Sequence, residues 1–108
     1  MPLFRKKASA PDLAQGIDAF WAWWAAAGAA QTSAAIADRA PDRMVDELSR
    51  RVNGIHPGLA WELASGRRAQ HVLVVSPEGN PDLRSAARRW LRAAPEPDAT
   101  WEYADARQ

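Results

Sequence analysis

Three tryptophans fall within four positions near the start of this chain, in the run Phe20-Trp21-Ala22-Trp23-Trp24. The run belongs to a stretch of 19 residues without a charge, Ala19–Ala37. Such a stretch could span a membrane, stack against bases or form the spine of a small core. Its composition favours the core, because alanine dominates, Gln31-Thr32-Ser33 interrupts it, and membrane insertion is driven mainly by Leu, Ile, Phe and Val.

Helical spacing places part of the aromatic run on one apolar face. The residues that share this face are Leu13, Ile17, Phe20, Trp24 and Gly28. At about 100° per residue, Trp21 and Trp23 fall on opposite flanks of that stripe, each roughly 80° from Leu13. We therefore expect Phe20 and Trp24 to face a sheet, with Trp21 and Trp23 flanking them toward the two neighbouring helices.

Capping and turn residues set the limits of the remaining elements. Ser9 with Pro11 and Asp12 predicts the start of the first helix, and Gln31-Thr32-Ser33 predicts a break or a bend in it. Gly54 is expected to adopt the left-handed conformation that stops a second helix. Asn80 is expected to cap a third helix that Pro95 ends. The predicted elements after the first helix are a helix over 41–53, strands over 59–64 and 71–76, a helix from 81 to 94 and a strand over 100–106.

This order predicts an α+β fold, α-α-β-β-α-β, with a three-stranded, largely antiparallel sheet and helices packed on one face. The β-helix-β connection should be right-handed. Residues 1–8 are expected to form a flexible N-terminus, and residues 9–108 a single α+β domain. At 108 residues such a domain can bury a core without staples.

Composition excludes several functional classes. The net charge is +1, so no global field recruits nucleic acid or an anionic membrane. The absence of cysteine excludes disulfides, thiolate zinc sites and cysteine nucleophiles. The first residues lack the apolar segment of a secretory signal, so a cytoplasmic location is expected. No spacing of His, Asp or Glu suggests a metal site, and no cofactor motif is present.

Two strand glutamates frame the first candidate site. Glu62 and Glu102 are expected on the sheet face opposite the tryptophans, with Val72 and Val74 between them. An apolar strip bordered by acids suits a protein partner better than catalysis. The sequence therefore predicts an interaction surface at these four residues, and a homodimer through that face or through a sheet edge.

Two alternatives rest on other residues. Glu62, Glu102 and His71 could serve a small hydrolase-like enzyme if they met in one pocket, although no catalytic motif supports this. The third helix carries an arginine face that could hold phosphates or nucleic acid, although no nucleic-acid-binding motif accompanies it. The arginines of that face are Arg84, Arg88, Arg89 and Arg92.

Four separated segments together resemble an uncharacterised family of small bacterial proteins. They are Phe20–Trp24, Ile55–Glu62, Val74–Asn80 and the stretch from Arg89-Trp90-Leu91 through Ala94-Pro95 to Trp101. The family has an FWxWF-like start, a strand after a turn with proline, a GN loop before a helix and an AP…W finish. The resemblance implies no assigned activity, cofactor or catalytic residue. We therefore expect a non-enzymatic interaction or regulatory domain without membrane, nucleic-acid or small-molecule partners.

Overall fold

The first helix continues through Gln31-Thr32-Ser33, so the predicted break is absent and the alternative, a bend, stays a prediction. The computed structural model describes residues 10–106, so the predicted flexible segment 1–8 and the predicted cap Ser9 lie outside the described residues. Helix α1 (Ala10–Trp23) runs through one π-helical turn (Trp24–Gly28) into α2 (Ala29–Ala37). Gln31-Thr32-Ser33 stays helical because Thr32 is fully buried, and its packing in the interior outweighs the low helix propensity of threonine.

A second helical segment packs its backbone closely against α1. A 3₁₀ turn (Pro41–Met44) leads into α3 (Val45–Asn53). The predicted left-handed Gly54 is wrong, since its φ is −65° and the chain leaves the helix through ordinary helical geometry. The backbone at Gly54 lies directly against α1, because a Cβ added to Gly16 would be only 2.6 Å from the carbonyl oxygen of Gly54. The glycine in α1 therefore permits a close approach that any other residue would obstruct.

The three strands form one mixed sheet in the order β1-β2-β3. Strands β1 (Ala60–Ser65) and β2 (His71–Ser76) are antiparallel, and β3 (Trp101–Ala104) runs parallel to β2. The α+β class and the element order are confirmed. The sheet is mixed rather than largely antiparallel, because the helix between β2 and β3 returns the chain to the same end of the sheet.

That connecting helix begins as the sequence predicts. The Asn80 side chain accepts a hydrogen bond from the N–H of Asp82 at 3.0 Å. A 3₁₀ turn (Pro81–Leu83) follows, and α4 (Arg84–Arg92) completes the helix. The capped start fixes α4 at the end of β2, from which it runs back along the sheet.

The aromatic run forms the core as expected. Phe20 and Trp24 are almost fully buried, and Trp24 lies edge-on to Trp101 of β3 at 4.9 Å between ring centroids. Trp21 stacks on Trp90 of α4 at 4.8 Å and donates its indole N–H to the Trp90 carbonyl. On the other flank, the Arg51 guanidinium of α3 lies 4.9 Å from the Trp23 ring centroid. The run thus joins the sheet and both neighbouring helices.

Candidate interaction site at the sheet edge

The four predicted contact residues share the sheet face opposite the main core. The register sets Glu62 opposite Val74 and Val72 beside Glu102, so the two valines lie between the two acids. Both valines lie outside the apolar cluster that the helices form with the other face. They are nevertheless 5% and 2% exposed, so they offer a partner little surface. The predicted contact strip is therefore largely inaccessible to a protein partner.

Glu102 is engaged in a structural contact. Its carboxylate accepts hydrogen bonds from the backbone N–H groups of Arg67 at 3.0 Å, Arg68 at 2.8 Å and Ala69 at 2.8 Å. These bonds, the strongest from Ala69, lower the pKa of Glu102 from 4.5 to about 2. Glu102 therefore ties the turn between β1 and β2 to β3.

His71 does not meet the two glutamates. It lies opposite Trp101 in the register, on the helix-bearing face, and its ring centroid is 5.0 Å from that of Trp101. Glu62 and Glu102 lie on the other face. The structure therefore does not bring together the three groups that the enzyme alternative requires.

The arginines of α4 divide between two grooves. Arg84 and Arg88 line a groove with Asp105, whereas Arg89 and Arg92 line another with Asp18. None of the four forms an ion pair within residues 10–106. A carboxylate beside each pair reduces the local positive field that an anion would meet. Binding of nucleic acid or another anion by this helix stays a prediction.

The outer edge of β1 carries unpaired backbone groups. His71 donates its N–H to Thr100, so its backbone groups point toward β3. Backbone direction alternates along a strand, hence Val72 and Val74 point toward β1 and pair with Ala64 and Glu62. The groups left pointing outward belong to Trp61, Leu63 and Ser65. Within residues 10–106, no strand pairs with this edge.

This edge carries only one of the usual features that protect against pairing, the charge of Glu62. Exposed edges are normally blunted by proline, charged side chains, above all lysine, or a bulge. The segment Ala60–Ser65 contains neither proline nor lysine, its pairing with β2 is continuous, and Glu62 is its one charged residue. Its exposed end, Ala64 and Ser65, faces solvent. The edge can therefore accept another strand.

An exposed apolar residue lies on the side of α3 that faces β1. The Trp61 indole donates a hydrogen bond to the Ser49 hydroxyl at 3.0 Å, which turns that side of α3 toward β1. Val45 precedes Ser49 by one helical turn and so shares this side. It is 44% exposed, and it is the one large hydrophobic residue with an exposed side chain among the described residues. Arg51 points the opposite way, toward Trp23.

A cavity next to the edge has an uncharged lining. It has a volume of about 330 Å³ and lies between the end of α2 and the ends of β1 and β2. Its lining residues are Ile36, Pro41, Leu63, Ala64, Ser65, Gln70 and His71. The α4 grooves, in contrast, are each lined by arginine and an acid. The surroundings of the β1 edge thus suit an uncharged or apolar contact.

Sequence reasoning missed these edge residues for a physical reason. The alternation of Trp61 and Leu63 identified a strand, but strand order decides which edge is left open. The continuous apolar run within His71–Ser76 indicates a strand buried on both faces, but it does not show which strand lies on each side of it. The absence of proline and lysine from Ala60–Ser65 was the available signal.

Other types of site find no support in the described part of the chain. Between residues 10 and 106, no cluster of three His, Cys, Asp or Glu side chains could hold a metal ion. None of the described helices is long and apolar enough to cross a membrane.

Comparison of the chain with protein-family models, curated proteins and solved structures finds no match. The resemblance to an uncharacterised bacterial family stays a prediction.

Proposed function

We propose that the chain is a protein-interaction domain, rather than an enzyme, that binds a protein partner along the outer edge of β1. The observation that carries this proposal is the row of outward backbone groups at Trp61, Leu63 and Ser65, which have no strand partner within residues 10–106. Strand addition at such an edge supplies main-chain hydrogen bonds, and adjacent pockets supply specificity.

The surroundings of the edge support the same assignment. Val45 adds exposed apolar surface on one side, and the uncharged cavity adjoins Leu63 and Ser65. In contrast, Glu102 already binds three backbone N–H groups, and His71 lies on the opposite face from it. Strand addition would use the outward backbone groups of β1, which have no strand partner within residues 10–106. The enzyme alternative needs the Glu102 carboxylate, which already accepts three backbone hydrogen bonds.

Site-specific photo-crosslinking tests the location of the contact. A benzoylphenylalanine residue replaces Ser65 at the edge or, as a matched control, the exposed Ser85 on α4. In cells that produce the protein, we expect irradiation to yield a discrete protein adduct from position 65 and not from position 85. Absence of an adduct at position 65, or equal adducts from both positions, would contradict the proposal.

A further inference from the structure

The outward groups of β1 are arranged symmetrically about Leu63. We propose that two copies of this chain pair antiparallel along their β1 edges, about a twofold axis beside Leu63, and so form a continuous six-stranded sheet. This inference rests on the proposed function, because it identifies the partner at the same edge. It commits to a second copy rather than to a different protein.

The pattern of outward groups makes the edge complementary to itself. With the axis at Leu63, that residue faces the partner's Leu63, and Trp61 faces the partner's Ser65. Residues that point outward on one copy then meet outward residues on the other. Each facing pair can exchange two hydrogen bonds, as in any hydrogen-bonded pair of an antiparallel ladder. All the outward groups of Trp61, Leu63 and Ser65 are satisfied at once.

Charge selects this register over its nearest rival. A shift of the axis to Glu62 would set that carboxylate directly opposite the partner's Glu62, and like charges in facing positions destabilise a sheet. With the axis at Leu63, Glu62 instead faces the partner's Ala64. A shift of the pairing by a single position, with Leu63 facing the partner's Glu62, would turn the helix-bearing face of one copy to the opposite side. The register centred on Leu63 avoids both penalties.

The side chains next to the axis favour the same pairing. A twofold axis perpendicular to the sheet keeps the helices of both copies on one side of the joined sheet. Leu63 on this face meets an identical leucine. Trp61 reaches the partner's Ser65, which lines the cavity in that copy. The cavity beside Ser65 thus lies next to the new interface.

Light scattering on purified protein tests the pairing, with Ser65→Pro and Ser65→Ala as the decisive variants. Proline removes the outward N–H of Ser65 and obstructs a strand at that position, whereas alanine keeps the N–H. We expect the wild type and Ser65→Ala to reach twice the 11.9 kDa chain mass as concentration rises to ~1 mM. Ser65→Pro should raise the dimer Kd by about tenfold or more, because each dimer loses two hydrogen bonds.

Ala64→Glu provides a second variant if Ser65→Pro fails to fold, since Ala64 is exposed and a carboxylate there would face the partner's Glu62. A monomeric wild type throughout this range, or a dimer that both variants leave unchanged, would overturn the inference.

The photo-crosslink separates the two proposals. An adduct of another mass at position 65 with a monomeric purified protein contradicts only the self-pairing, whereas no adduct contradicts both.

Discussion

Replacement of Trp24 by alanine should lower the free energy of unfolding by about 3–5 kcal/mol. Trp24 is 1% exposed and contacts Phe20, Trp101 and Tyr103 through its ring. Its indole N–H also donates to the Tyr103 hydroxyl at 3.0 Å. Because these contacts join the first helix to β3, the truncation leaves a cavity at the centre of the core. Denaturant unfolding monitored by circular dichroism measures the loss.

Trp23→Ala is the matched control for this prediction. Trp23 lies next to Trp24 in the same helix, but it is only half-buried and lies against Gly28 and Arg51 on the flank toward α3. Its loss should therefore cost clearly less than that of Trp24. Equal losses from the two variants, or a loss below ~1 kcal/mol for Trp24→Ala, would show that the aromatic run is not the spine of the core.

Glu102→Gln should reduce the thermal stability of the protein at neutral pH. The ionised carboxylate accepts three backbone N–H bonds from the turn between β1 and β2, and a neutral amide can accept them only weakly through its oxygen. The amide N–H₂ group also meets donors rather than acceptors. Thermal unfolding of Glu102→Gln, compared with Glu96→Gln as a control that removes an exposed carboxylate, measures the effect.

The pH dependence of the stability difference between the wild type and Glu102→Gln shows whether the charge of the carboxylate causes that difference. Folding lowers the pKa of Glu102 from 4.5 to about 2, so the ionised form stabilises the folded state at all pH values above 4.5. This contribution disappears as the pH falls through the folded pKa. The gap between the wild type and Glu102→Gln should therefore close between pH 4.5 and 2. A gap that stays constant down to pH 2 would assign the effect to shape rather than charge.

The aromatic run shows how much of the fold follows from local pattern. Helical periodicity predicted that Trp24 would face the sheet and that Trp21 and Trp23 would reach opposite neighbours, and the contacts with Trp101, Trp90 and Arg51 confirm it. Outside its own helix the Phe20 ring lies against Trp90 of α4, so the predicted contact of Phe20 with the sheet stays a prediction. Helical periodicity can be read directly from the spacing of apolar residues in the sequence. The two-residue alternation of a strand likewise placed the acids Glu62 and Glu102 on one face of the sheet.

Features set by tertiary packing were not predictable in this way. The helix continues through Gln31-Thr32-Ser33 because the interior encloses Thr32, and Gly54 keeps an ordinary helical φ although its type suggested otherwise. The engagement of Glu102 by the turn depends on β3 lying beside β2, which no local signal shows. The open edge at Leu63 follows from the same strand order. The candidate site therefore became visible only once the sheet was assembled.

Residue-resolved amide exchange directly tests whether two copies pair at the β1 edge. The N–H of Leu63 points outward and has no strand partner within residues 10–106, whereas the N–H of Ala64 points toward β2. We expect exchange at Leu63 to slow markedly as the purified protein is concentrated into its dimeric range, while exchange at Ala64 changes little. Exchange at Leu63 that remains fast and independent of concentration would contradict pairing between two copies at this edge.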